Sequence, residues 1–386
     1  MAGRSFGLIA GVVALTAVAL PTAHAQTITG GQRATALASH LRSLSTGTLH
    51  LRGTLGSTVG MTMTGAFSVG HTANLSWDLP ALASSHVAGF AQKVQKVTYA
   101  FNIAPDSAQD VVVNGAPVHR VTWKAPPSDT VIQVSEYLQV QVSSKVGHFH
   151  SRARFPLKAV PAYAAPFLGT SAATQLAGTA QRLVTRLAHG KKSERRVVAA
   201  VTNWVASHTR YAYTSQNSAA QVLARHTGTC EGYTNLAIAM LRALGIPAQA
   251  SYGWVTATPI ELRDGSGRET IQWSRPGSGT ELHAWLNVYF PRSGWVPFDP
   301  QLEKFFVDPR HIVIKTAMDA SNMTMGAWAA DGLGVSVTGH NLSNGYPLIV
   351  PGAGSGSTTT IHTVDSFRAS VGSMVNDVSR VVLFSR

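Results

Sequence analysis

The chain has 386 residues and a mass of 40.8 kDa, room for two or three ordinary domains, and its 45% apolar content is enough for sizeable cores. Only 13% of residues are charged, about half the usual share, which excludes a disordered polyelectrolyte; 31 Lys and Arg face 18 Asp and Glu, a net charge of +13. A single cysteine excludes an intramolecular disulfide framework and any multi-cysteine zinc site.

Residues 1–25 read as a secretion signal. Arg4 precedes an apolar run over residues 6–20, Pro21 breaks it, and Ala23-His24-Ala25 makes a small-x-small cleavage site before Gln26. The run falls short of the ~20 residues a membrane span needs. No later stretch reaches that length without charge, so no stable span is expected in the mature chain. The signal implies a bacterial periplasmic or secreted protein. That compartment favours disulfides, so a lone cysteine there raises the question of what its thiol does.

Residues 26–165 carry mostly strand patterning. A helix is expected at 33–44. Residues 97–103 alternate, and the apolar runs 111–113 and 118–123 flank Asn114-Gly115, a hairpin signal. Residues 131–142 alternate over a longer run. A β-sandwich-like N-terminal domain is expected, closed by a linker holding Pro156, Pro161 and Pro166. His148 and His150 share one strand face, but no third metal ligand accompanies them.

From 166 to 318 the period becomes helical. One helix is expected at 176–188. Ser193 is the expected cap of a second, with Glu194 in its first turn and Val197, Val198, Val201, Trp204 and Val205 on its buried face. Asn217 is the expected cap of a short helix ending near Arg225. A third long helix starts near Cys230, buries Leu236, Ala237, Met240, Leu241 and Leu244, and stops at Gly245. Strands are expected at Ala248–Val255, Glu281–Phe290 and Gly294–Phe298, with residues 258–280 a loop inserted between them. Helices first and strands afterwards predict an α+β domain, not a doubly wound sheet. Residues 319–386, rich in Gly, Ser and Thr, are expected to form a C-terminal β extension or tail, with strand-like pieces at 334–337 and 360–364.

The chemistry gathers around Cys230. A cysteine in the first turn of a helix meets the positive end of the helix dipole and free backbone N–H groups, which favour thiolate over thiol. Those N–H groups also suit an oxyanion formed on a bound acyl group. Gly228 and Gly232 are expected to leave room for a substrate. The thiol needs a base and a group to orient it. Along 281–290, Leu282, Ala284, Leu286, Val288 and Phe290 take one face. Glu281, His283, Trp285, Asn287 and Tyr289 take the other, which places His283 among polar and aromatic neighbours. A three-residue loop at Pro291-Arg292-Ser293 puts Asp299 opposite Trp285 and diagonal to His283, at roughly 7–8 Å between backbones. A two-residue loop puts it on the wrong face.

Three motifs in order resemble the transglutaminase-like superfamily, in particular its bacterial secreted members. They are Thr227-Gly228-Thr229-Cys230-Glu231-Gly232 with the run from Leu241 to Ala248, then Leu282-His283-Ala284-Trp285, then Gly294-Trp295-Val296-Pro297-Phe298-Asp299-Pro300. The resemblance implies a papain-like α+β core. In it Cys230 is the nucleophile, His283 the base and later acid, and Asp299 the orienter, with no cofactor and no metal. The implied reaction is acyl transfer on protein or peptide amides through a Cys thioester, hydrolysis ahead of crosslinking. Alternatives are a protein-glutamine crosslinking transglutaminase and a non-catalytic envelope-binding module using the same cleft. Tyr211, Tyr213 and Gln216 lie in the stretch that could supply a second oxyanion donor, with core packing the expected role of both tyrosines. Protein or peptide substrates are expected, cell-envelope material among the candidates; no nucleic-acid module is recognisable.

Overall fold

Period-two patterning in the first half of the chain builds two antiparallel sheets. The structure is a computed structural model. It describes residues 47–50, 53–69, 74–113, 116–146, 149–176, 178–256, 260–263, 270–273, 281–302, 305–321, 327–330, 358–363 and 370–373. The strands are β1 (Gly53–Val69), β2 (Asn74–Pro80), β3 (Ser85–Val87), β4 (Phe90–Phe101), β5 (Ser107–Val113), β6 (Ala116–Lys124) and β7 (Thr130–Val146). One sheet runs Thr358–Thr363, β1, β7, β4, β3; the other runs Ala327–Ala330, β2, β6, β5. On β7, Ile132, Val134, Leu138, Val140 and Val142 are buried while Val131 and Tyr137 are exposed, the alternation of a strand with one covered face. Val113 pairs with Ala116, so β5 and β6 form the expected hairpin across Asn114-Gly115. The expected signal segment, the helix at 33–44 and the piece at 334–337 lie outside the described residues. The piece expected at 360–364 is represented by Thr358–Thr363, paired with β1.

Helical periodicity then produces α1 (Gly178–Ala188), α2 (Glu194–His208), α3 (Ala219–Arg225) and α4 (Cys230–Arg242). Two capping expectations need correction. Ser193 holds the N-cap position of α2 with extended backbone, but its side chain caps nothing. Ser218, not Asn217, caps α3, through a reciprocal capping box with Gln221. Asn217 is one residue too early for that role, and its side chain serves the start of α4 instead. Helix α4 gives way to Gly245, whose φ of 73° suits a residue without a Cβ. The buried Arg242 guanidinium secures the turn that follows, its Nε and Nη2 donating to Ala248 O at 3.1 and 2.8 Å.

A separate four-stranded antiparallel sheet follows from β8 (Ala248–Val255), β9 (Glu281–Phe290), β10 (Gly294–Phe298) and β11 (His311–Ala317), in the order β10-β9-β8-β11. Strand β11 was not foreseen. The segment expected as a loop contains two short strands, Ile260–Arg263 and Thr270–Trp273, paired antiparallel.

Alternation along β9 separates two cores. Ala284, Leu286, Val288 and Phe290 pack with Val201, Tyr233, Leu236, Met240 and Leu241 of the helices. Trp285 faces the other way and joins Trp254, Ile312, Trp77, Trp123 and Val140 in a cluster shared with the N-terminal sheets. Both faces of β9 are therefore covered, and its polar residues stand in an enclosed layer. Each large apolar side chain fully buried there contributes about 1.5–3 kcal/mol.

Candidate active site

Helix α4 begins at Cys230, which is buried with 7% of its surface exposed. The amides of its first turn have no intrahelical acceptor and point out of the helix start. Asn217 braces this turn. Its Oδ1 accepts from Thr229 N–H at 3.0 Å, and its Nδ2 donates to Thr214 O at 2.9 Å and to Glu231 Oε2 at 3.1 Å. The two glycines flanking Cys230 serve this brace, a correction to their expected role in admitting substrate. A Cβ at Gly232 would lie 2.8 Å from Val222 Cγ2 and 2.9 Å from Asn217 Oδ1, and one at Gly228 3.1 Å from the same Val222 atom. Burial pushes the Glu231 carboxyl up to about 7, against the hydrogen bond from Asn217.

His283 comes from β9 and Asp299 from the end of β10. Phe290 pairs with Gly294, so the connection has three residues, and the register continues to place Asp299 opposite Trp285. The diagonal closes: His283 Nε2 is 2.8 Å from Asp299 Oδ2, with the two residues 1% and 0% exposed. Asp299 Oδ1 accepts from the N–H groups of Gln301 at 2.9 Å and Leu302 at 3.0 Å, which fixes the carboxylate. Cys230 lies near enough to His283 to act on its charge state. With Nε2 committed to Asp299, Nδ1 is the nitrogen left for the sulfur. Burial disfavours the His283 imidazolium, but the charge and hydrogen bond of Asp299, and then the nearby Cys230, outweigh it and raise the pKa above the ordinary histidine value. Asp299 is held below the usual carboxylate range: burial opposes its ionisation, and His283 and His311 overcome that.

His311 is the participant that sequence reasoning missed. It opens β11, on the far side of β8 from β9, yet its Nε2 is 3.3 Å from Asp299 Oδ2. Gly253 of β8 pairs with His283 on one side and Val313 on the other. A bulge there brings Ile312 O within 1.7 Å of where a Cβ would stand, and Trp285 Cη2 within 3.1 Å. No side chain can occupy that point, and the rings of His283 and His311 come to 5.7 Å between centroids. The available signal was Asp308-Pro309-Arg310-His311, a dense polar run in a charge-poor chain just before an apolar strand.

Donor atoms of His283, Asp299 and His311 lie within 4.8 Å of one another, a grouping of the kind that can hold a metal ion. The imidazole nitrogens that face Asp299 Oδ2 are already joined to it by hydrogen bonds, and Asp308 holds the other nitrogen of His311. The group is therefore described as a closed polar cluster. Tyr211 and Tyr213 are 39% and 88% exposed, which corrects the core-packing role expected for them. Gln216 is half-buried, and its buried Oε1 accepts no hydrogen bond. His150 is exposed, and His148 lies outside the described residues.

Residues 181–300 match the transglutaminase-like superfamily. The chain carries a transglutaminase-like core. Over 97 residues, 25% of this chain, it is 29% identical to an uncharacterised protein, YebA, of Bacillus subtilis strain 168; the match spans only 12% of that protein's length. Among solved structures, the chain resembles one described as a putative cysteine protease from Cytophaga hutchinsonii. The TM-score is 0.55 at 16% identity, covering 86% of this chain and 98% of that one. At that identity the likeness concerns the fold, and it reaches well beyond the transglutaminase-like core. The periplasmic domain of TgpA from Pseudomonas aeruginosa also matches, with 14% identity, a TM-score of 0.30, and coverage of 62% and 88% of the two chains.

Proposed function

We propose that the protein performs acyl transfer on protein or peptide amides with Cys230 as nucleophile, His283 as base and acid, and Asp299 as the residue that orients His283. The observation that carries this reading is the buried His283–Asp299 pair, Nε2 to Oδ2 at 2.8 Å, with Cys230, the first residue of α4, close enough to His283 to act on its charge. The Cys230 thiolate attacks the amide carbonyl carbon, and the oxyanion meets the free N–H groups of the first helical turn. The C–N bond breaks as His283 passes its proton to the departing amine, leaving a thioester. Water then adds to the thioester as His283 removes its proton, and collapse releases the acid and the thiolate.

Hydrolysis is proposed ahead of crosslinking. Cys230 is 7% exposed, and of the two acceptors that could resolve an acyl-enzyme in so enclosed a site, water is the smaller. The description of the Cytophaga hutchinsonii structure as a putative cysteine protease agrees with a peptidase or amidase. Read with the apolar segment at 6–20 as a signal, the enzyme acts in the periplasm or outside the cell, on proteins that include envelope material. The proposed division is an N-terminal β-rich domain at 26–165, a catalytic domain at 166–318 and an extension at 319–386.

Parallel assays of amide hydrolysis and of amine incorporation test this. Hydrolysis is expected from the native protein. Cys230→Ala and His283→Ala should abolish it while leaving the circular dichroism spectrum unchanged. Full activity in Cys230→Ala would overturn the mechanism, and amine incorporation outrunning hydrolysis would overturn the preferred reaction.

A further inference from the structure

The residues beyond Asp299 continue the triad's line into the protein. His311 Nδ1 lies 3.2 Å from both Asp308 Oδ1 and Asp308 O, while its Nε2 faces Asp299 Oδ2. Both ring nitrogens thus face acceptors, and only a doubly protonated ring can donate to both. Asp308 is matched in turn: its Oδ1 accepts from Arg310 N–H at 2.8 Å, and its Oδ2 from Arg310 Nε at 2.7 Å and from Nη2. Arg310, Asp308, His311, Asp299 and His283 are each 1% exposed or less, and their charges alternate along the line. Asp299 therefore sits between two imidazole donors, one of which belongs to the triad.

We propose that His311, held as an imidazolium between Asp308 and Asp299, is a positioning residue for the acyl-transfer site. It fixes the Asp299 carboxylate and, as a second cation on it, limits how strongly Asp299 retains the proton on His283. The proposal rests on the triad reading above. Among the described residues, the groups facing His311 include Asp299 and Asp308, with His283 beyond the first, Arg310 beyond the second, and Cys230 near His283. The physical consequence has a definite sign. Removing the His311 charge leaves Asp299 to His283 alone and removes a like charge near its ring. The His283 imidazolium is then favoured, and the neutral base needed to break down the thioester appears only at higher pH.

The test compares the native protein with His311→Gln, which keeps a neutral donor at that place. kcat for hydrolysis is expected to fall about 10- to 100-fold, at or below the range that acid–base groups contribute. Its acid limb is expected to move up by about 0.5–1 pH unit. Native kcat with an unmoved acid limb would overturn the proposal and leave the triad standing. Activity in Cys230→Ala would instead bring down the triad reading itself. A second measurement covers a variant that fails to fold. Nitrogen NMR of the 15N-histidine-labelled native protein should show both ring nitrogens of His311 protonated at pH 7. A neutral His311 at that pH would overturn the proposal.

Discussion

Asp299 and Asp308 are buried carboxylates beside the sheet of β8–β11; Glu194, at the start of α2, is a buried carboxyl whose two oxygens have no hydrogen-bond partner among the described residues. Burial opposes ionisation at all three. At the aspartates, two imidazoles and a guanidinium outweigh it and hold both groups below the usual carboxylate range. At Glu194 burial acts without a counterweight and pushes the carboxyl up to about 8. Glu136 of β7 lies between these cases: Tyr99, its cross-strand partner, favours its ionised form, one oxygen has no hydrogen-bond partner among the described residues, and burial still pushes it up to about 8. Depth thus leaves the charge state open, and the presence of a matched cation decides it.

The largest effect should come from unmatching the paired region. Asp308→Ala leaves Arg310 and His311 buried without their carboxylate, and breaking a buried pair from one side costs about 3–5 kcal/mol. Urea denaturation would measure the loss, and a change under 1 kcal/mol would show that water or another group substitutes for Asp308.

A smaller effect should come from Glu194→Gln. With its folded pKa raised from 4.5 to about 8, Glu194 stays protonated in the folded chain while the unfolded chain ionises. The unfolded state then binds fewer protons, so the native protein loses stability as pH rises from about 4.5 to 8. His283 and His311, both raised, act in the same direction: their contribution is complete below the unfolded histidine value and is lost as pH climbs through the folded one. The depressed aspartates lose their contribution only below the ordinary carboxylate range. The native protein should therefore melt higher at pH 5 than at pH 8. Glu194→Gln should flatten that difference by on the order of 2 kcal/mol, and parallel dependence in both proteins would place a cation beside Glu194. The smallest effect is expected from Glu136→Gln at pH 5, within about 1 kcal/mol of the native protein. A protonated carboxyl and an amide have similar shapes, and both are neutral beside the cross-strand Tyr99; thermal melts at pH 5 would check it.

What was readable in advance followed the reach of local rules. Cys230 at a helix start, the face of His283 and the register that puts Asp299 opposite Trp285 each depend on a few neighbouring residues and one three-residue loop. Capping was less legible, because Asn217 and Ser218 are adjacent and both suit the role. Only the brace on Thr229 explains why the serine took it.

The sequence by itself therefore determined the α+β order of elements, the start of α4 at Cys230 and the register that places Asp299 opposite Trp285, all set by periodicity and short spacing. Tertiary structure decided what covers the polar face of β9 and what stands behind Asp299. Trp285 shares a core with Trp77 and Trp123, about two hundred and one hundred and sixty residues away along the chain. His311 reaches Asp299 because β11 pairs with β8 and Gly253 leaves a gap between the strands. Pairings over such separations depend on which strands become neighbours in the folded sheet, and the period of a single strand contains no record of its neighbour.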